Sequence, residues 1–402
     1  MPEKLGTDQS IYSVSPYRWI VLLFFVVAST MTQIIWITYA PITIQAANIL
    51  TDGNVFGILF LSMVYMIFYL PMNFPANWCL EKYGLKRGAG IGVILMGFFG
   101  FFRGLTTNYV MILTCQIITA IGQPFVLNSY TKLAVNWFPE KEKTLATGLC
   151  TMSLMLGVLC GMLISGPFFV AFGFYALGMF YGLLSLVSMV LFFVFIKDKP
   201  TTPPNSYAEK YSTKIVHPIQ TLFKNRDFMY YSIIILISYG AINAILSEVD
   251  LIVAPPRVLD VSNTDIAGII GSMIVVGGIV GSVVLSWLSD RLHKRKIFLI
   301  ITMLGGFPLT ILIGIISSFT WLCVDTFCFG FTLFGSLPIG LTYVAEITFP
   351  IPEEISNGMI MWVAQIGGII FLFYFNLTVI SLLLIITWAL VFLMRDSNFY
   401  KQ

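Results

Sequence analysis

Twelve apolar stretches, most of them about 20 to 30 residues long, fill this chain almost end to end, which is the length a helix needs to cross the hydrocarbon core. They lie near 18–47, 55–80, 88–105, 109–138, 144–172, 175–196, 229–255, 264–288, 296–316, 321–348, 355–376 and 378–394. The links between them are too short to hold a second folded unit. A backbone surrounded by lipid must pair its own polar groups, so stretches of this length cross as helices. The expected fold is therefore an all-α membrane protein of twelve transmembrane helices in two six-helix bundles, residues 1–196 and 229–402, joined by a linker at 197–228.

Composition supports the same solvent. With 58% hydrophobic and 10% charged residues, the chain has too little polar surface to cover a water-soluble globule. The net charge of +3 is small, and its basic residues form no nucleic-acid footprint. All six cysteines fall in or beside apolar segments, as small core residues do, and their spacing is not that of a disulfide framework. Met1 to Tyr17 is polar and the apolar run after it is too long for a signal-peptide core, so an uncleaved first helix is expected.

Twelve crossings place both termini on one side, together with every second link. Of the 22 Lys and Arg, only Arg103 and Arg257 fall on the opposite side. Basic residues concentrate in cytoplasmic loops, which predicts cytoplasmic termini in a plasma-membrane protein. The linker carries Pro200, Pro203 and Pro204, and its second part, His217 to Phe223, reads equally as a short surface helix or a solvated tether.

The halves echo each other. Trp78, Glu81, Lys82, Lys86 and Arg87 follow the second span, and Trp287, Asp290, Arg291, Arg295 and Lys296 follow the eighth at a constant displacement. Phe138-Pro139 with Glu142 and Gly148 is repeated by Phe349-Pro350 with Glu353 and Gly358. Internal symmetry between six-span halves is a transporter design that holds its substrate near the midplane between them.

The link Glu81 to Arg87, E-K-Y-G-L-K-R, and its partner Asp290 to Lys296, D-R-L-H-K-R-K, resemble the acidic-basic loop signature of the major facilitator superfamily. The resemblance implies that Glu81 and Asp290, with Lys82, Arg87, Arg291 and Arg295 around them, gate the cytoplasmic side by joining helix ends of opposite halves. Four further runs resemble the family named for the feline leukaemia virus subgroup C receptor. They are Q-I-I-W-I-T-Y (Gln33 to Tyr39), S-M-V-Y-M-I-F-Y-L-P in the second span, G-Q-P-F-V-L (Gly122 to Leu127), and Gly335 to Gly368 with S-L-P-I-G-L-T-Y-V-A-E-I-T-F-P, S-N-G and A-Q-I-G-G. The short loops suggest a compact, prokaryotic-type member. That family implies carriage of choline and ethanolamine, with haem also claimed, and it implies that Trp36, Gln123 and Gln365 contact choline.

The interior chemistry, read from the residues themselves, is neutral. No Lys, Arg or His is expected near the bilayer centre, which disfavours an anionic substrate. His217 and His293 both lie in cytoplasmic links, away from any haem held in the core. Glu248, Asp250, Asp325 and Glu346 lie toward helix ends, and Glu248 with Asp250 is expected to line a solvated vestibule. What gathers at mid-depth is Gln33, Trp36 and Tyr39 at helical spacing, Gln123, Gln365, and Tyr239 as a further wall. An indole face holds a quaternary ammonium without a carboxylate, and amides bind a hydroxyl. The expected protein is a monomeric alternating-access carrier of a small neutral or monocationic solute. It needs no cofactor and no partner beyond its substrate and the bilayer. A proton-coupled exporter of lipophilic compounds, or a carrier of haem, porphyrin or a vitamin, is the alternative. An enzyme would show a His, Cys or paired-carboxylate constellation at one depth, and none is apparent.

Overall fold

The computed structural model describes residues 14–200, 218–254, 263–292, 294–351 and 353–396. The described chain is helical: α1 (Arg18–Ile37), α2 (Thr43–Leu50), α3 (Val55–Gly104), α4 (Tyr109–Leu127), α5 (Tyr130–Trp137), α6 (Glu140–Phe195) and the short α7 (Pro218–Lys224), then α8 (Arg226–Ser247), α9 (Val249–Val253), α10 (Asn263–Leu292), α11 (Arg295–Ile315), α12 (Phe319–Thr348), α13 (Glu353–Phe373) and α14 (Leu377–Leu393). Two of these are double crossings. Gly84 (φ 86°, ψ −176°) breaks α3 and Gly173 (φ 83°, ψ 174°) breaks α6, in a backbone region that only glycine enters without strain. With α14 as the last and shortest, twelve crossings result.

The links expected at 81–87 and 173–174 shrink to single glycines, the first of them by helix propensity. Glu, Lys, Leu and Arg favour helix, so the chain stays helical through the charged turn and needs one residue of special conformation to reverse. At Gly84 a Cβ would also lie 2.8 Å from Asp198 Oδ1, whose carboxylate accepts from Lys86 N at 2.6 Å. The first span, by contrast, is less continuous than the hydropathy suggests. Pro41 sits in a 3-10 turn, Ala40–Ile42, that divides α1 from α2.

The internal repeat is real in three dimensions. Lys82 Nζ lies 4.6 Å from the Trp78 ring centroid, and the Arg291 guanidinium 5.4 Å from that of Trp287. Lys86 Nζ donates to Phe193 O at 2.8 Å, at the end of the sixth crossing, and Lys296 Nζ donates to Phe392 O at 3.1 Å, at the end of the twelfth. By role, then, Lys86 corresponds to Lys296, not to Arg295 as the constant displacement suggests, because the second loop is one residue longer. Arg295 is buried, pairs with Asp290 and Glu346 (the latter at 3.4 Å), and donates to Ser289 at 3.2 Å. In the first half Arg18 pairs with Glu142 at 3.0 Å.

The halves meet on the side opposite the termini. There α6 packs on α10, where a Cβ at Gly271 would lie 2.7 Å from Met162 Sδ, and α3 packs on α13, with Phe56 edge-on to Phe373 at 5.5 Å. Near mid-depth Trp362 Nε1 donates to Leu70 O across the halves at 3.1 Å. On the termini side the expected gate is not engaged. Glu81, Lys82, Arg87, Asp290 and Arg291 are exposed, and the Asp290 carboxylate is held by Arg295 of its own half. The pairs Arg18–Glu142, Arg295–Asp290 and Arg295–Glu346 on that side each lie within one half. The conformation is therefore one in which a latch built from Glu81 and Asp290 would be released.

Candidate substrate site between the halves

The sequence candidates share a depth. Trp36, Gln123, Tyr239 and Gln365 each lie within about two residues, or 3 Å of rise, of the midpoint of their crossings, Arg18–Leu50, Tyr109–Trp137, Arg226–Val253 and Glu353–Phe373. Gln33 shares that level. Their hydrogen bonds separate them into two kinds. Gln33 Nε2 donates to Thr32 Oγ1 at 3.1 Å, and its Cβ packs where a Cβ on Gly157 would stand, so it faces α6. Trp36 is 7% exposed and its Nε1 donates to Ser62 O at 3.2 Å, which fixes the indole against α3 and leaves only its ring to meet a ligand.

The two central glutamines differ. Gln123 is buried and Gln365 half-buried, yet neither amide has a hydrogen-bond partner among the described residues. Neither is among the fully enclosed polar atoms that lack a partner, so both amide groups keep accessible surface and are free to meet a ligand. Helical phase sets Gln365 at the interface between the halves and Gln123 on the face of α4 turned toward α3 of its own half. Gln123 is on the face of α4 that carries Gln116 and Thr119, which bond Leu61 O at 3.2 Å and Tyr65 at 2.7 Å on α3. Gln365 lies between Trp362 and Gly368, both of which meet α3, the latter with Met66 against it.

Tyr239 packs edge-on against Phe334, with ring centroids 6.3 Å apart. Tyr69 was not singled out from the sequence, although it stands at the middle of the second crossing two residues before Pro71. It is 7% exposed and donates to Asn128 Oδ1 at 3.4 Å, while Asn128 Nδ2 donates to Asn73 Oδ1 at 2.7 Å. A polar residue inside an apolar run was the available signal for all three. Ser62 lies two turns from Tyr69, so Trp36 closes the layer on the far side and Tyr69 with Tyr239 on the termini side.

Arg103 corrects the expectation of an interior without cations. It ends the third crossing, but long helical side chains point back toward the helix N-terminus, which here is inward. The guanidinium is 2% exposed, and its Nη1 donates to Ile35 O at 2.8 Å and to Gln116 Oε1 at 2.7 Å. Nη2 donates to Thr38 Oγ1 at 3.1 Å, and Tyr39 offers its ring at 5.0 Å. These partners direct the charge at the C-terminal carbonyls of α1, the negative end of a helix, and away from a ligand. Glu248 and Asp250 depart from expectation too: they are 3% and 0% exposed and line no solvated vestibule.

A match to the family model of the Major Facilitator Superfamily spans residues 20–373. The chain belongs to the major facilitator superfamily. Within it, the chain is 29% identical over 401 residues to the human choline/ethanolamine transporter FLVCR2, covering 90% of this chain and 72% of that protein. The mouse choline/ethanolamine transporter FLVCR1 is 31% identical over 407 residues, covering 89% and 69%. The family expected from the motifs is thereby shown, and the protein is a transporter and not an enzyme. The fold agrees with that of a bacterial homologue of the human lysosomal transporter Spinster, solved in an inward-facing, unoccupied conformation. That structure has a TM-score of 0.76 at 14% identity and covers 97% of this chain and 98% of its own.

Proposed function

We propose that this major facilitator protein carries choline, ethanolamine or a close relative by alternating access. The observation that carries the reading is the pair of unpartnered mid-depth amides, Gln123 from one half and Gln365 from the other, at the depth of Trp36. The quaternary or primary ammonium group rests against Trp36, with Tyr239 and Tyr69 as the opposite wall, and the two glutamines take the hydroxyl. A cation held by ring faces alone gains about 0.5–2 kcal/mol, which suits a carrier that must release its load. Contacts from both halves make substrate occupancy favour closure. Relatives named for choline and ethanolamine support the solute class.

In this reading the protein works as a monomer in the plasma membrane with both termini cytoplasmic. Glu81 and Asp290, with Lys82, Arg87, Arg291 and Arg295, join the halves on the cytoplasmic side in the outward-open state. Uptake of radiolabelled choline into proteoliposomes tests the function: a saturable signal displaced by ethanolamine is expected.

Orientation has its own test. In a background without the native cysteines, Asn54→Cys and Lys199→Cys place thiols at exposed positions on opposite ends of the bundle. A membrane-impermeant maleimide added to intact cells is expected to label the first and spare the second. The reverse pattern would invert the topology drawn from the basic residues.

A further inference from the structure

The break in the first crossing is held from both sides by opposite charges. On the α1 side Arg103 of the same half takes the Ile35 carbonyl and the Thr38 hydroxyl. On the α2 side the acid comes from the other half. Asp250 Oδ2 accepts from Ile44 N at 2.8 Å, and Thr43 N–H faces the same carboxylate. Gln45, with its amide oriented by its two acceptors, donates to Ile42 O and to Asp250 Oδ2, each at 3.3 Å. Thr43 and Ile44 are the first two residues of α2, whose leading N–H groups have no partner within the helix. The preceding residue, Ile42, has no side-chain oxygen to cap them. Asp250 therefore does between domains what an N-cap Asp does within one chain segment.

We propose that Asp250 is the latch of the gate opposite the termini: an inter-half helix cap that holds α2 against α9 and must be released each time that side opens. Burial makes the bond strong. The carboxylate is fully shielded, its acceptor Oδ2 points at the positive end of a helix, and its Oδ1 has no partner. A buried acid of this kind, half satisfied, is stable only while the cap is in place. The latch also reaches the substrate layer. Trp36 sits on the last turn of α1, and only Thr38 to Ile42 separate that turn from the capped end of α2. With Arg103 fixing α1, the 3-10 turn is the pivot, and opening swings α2 while Trp36 stays in place.

This inference rests on alternating access and is independent of the identity of the solute. Double electron-electron resonance tests it on the full chain without ligand. Spin labels at Asn54 and Ser317, exposed on the far side in opposite halves, read the gate. Asp250→Leu keeps the branched shape at Cγ but puts methyls in place of the acceptors, and replacing a buried charge by an apolar side chain is compatible with folding. It is expected to raise the ratio of long to short distances about tenfold or more, since loss of even one charge-assisted bond has that effect. Asp250→Asn retains an acceptor and is expected to stay within about twofold of wild type. Both variants should elute as monodisperse protein. An unchanged distribution in Asp250→Leu would overturn the latch, as would an equal shift in both variants or a shift accompanied by loss of monodispersity. Because no solute is present, none of these outcomes bears on choline.

Discussion

Replacing Trp36 by alanine is expected to raise the dissociation constant for choline about tenfold or more, a loss of roughly 1–2 kcal/mol, while Trp36→Phe keeps part of the affinity. The ring is the only part of Trp36 available to a ligand, since its Nε1 is committed to Ser62 O. Phenylalanine preserves a ring face but gives up that tether to α3, so its deficit should appear with every ammonium compound alike. Isothermal titration of purified protein with choline, ethanolamine and tetramethylammonium measures this. Equal affinity of wild type and Trp36→Ala for all three would remove Trp36 from the site.

Gln365→Ala and Gln123→Ala are expected to act differently. Each deletes an amide that the protein itself leaves unpartnered, so neither creates an orphan group in the fold. Stability should hold, and the effect should fall on solutes that carry a hydroxyl. Choline is expected to bind about fivefold more weakly to either variant, in keeping with a loss of about 1 kcal/mol per hydrogen bond, and tetramethylammonium nearly as well as to wild type. Isoleucine or leucine in these places would fill the space and is expected to abolish uptake. A loss that is the same for choline and tetramethylammonium would assign the glutamines to packing between helices instead.

Much of this was legible from hydropathy and helical period. The twelve crossings follow from apolar length, and the repeat from matched side chains such as Trp78 with Trp287 and Lys82 with Arg291, which form the same cation–aromatic pair in both halves. Mid-depth placement of Gln123, Tyr239 and Gln365 needed only the rise per residue. Three things were hidden because they depend on direction and not on position along the chain. Arg103 counts as a far-side residue until its side chain is seen to point inward and end on Ile35. Asp250 lies at the far end of the seventh crossing, but whether that end faces water depends on which side of the carrier is closed. Tyr69 was one tyrosine among several in an aromatic span, and only its bond to Asn128 sets it apart. The exposure of Glu81 and Asp290, the latter paired only within its own half, is what the proposed gate would show in its open state.

The central claim is that a carrier of this family binds a small hydroxyl-bearing amine between its halves, on Trp36, Gln123 and Gln365. Equilibrium binding of radiolabelled choline to the purified wild-type protein tests it most directly, with Gln123→Ala/Gln365→Ala as the paired control. Saturable binding in the micromolar to low millimolar range, displaced by ethanolamine and weakened at least tenfold in the double variant, is the predicted result. Absence of choline and ethanolamine binding at millimolar concentration, or binding that survives the double substitution undiminished, would contradict it.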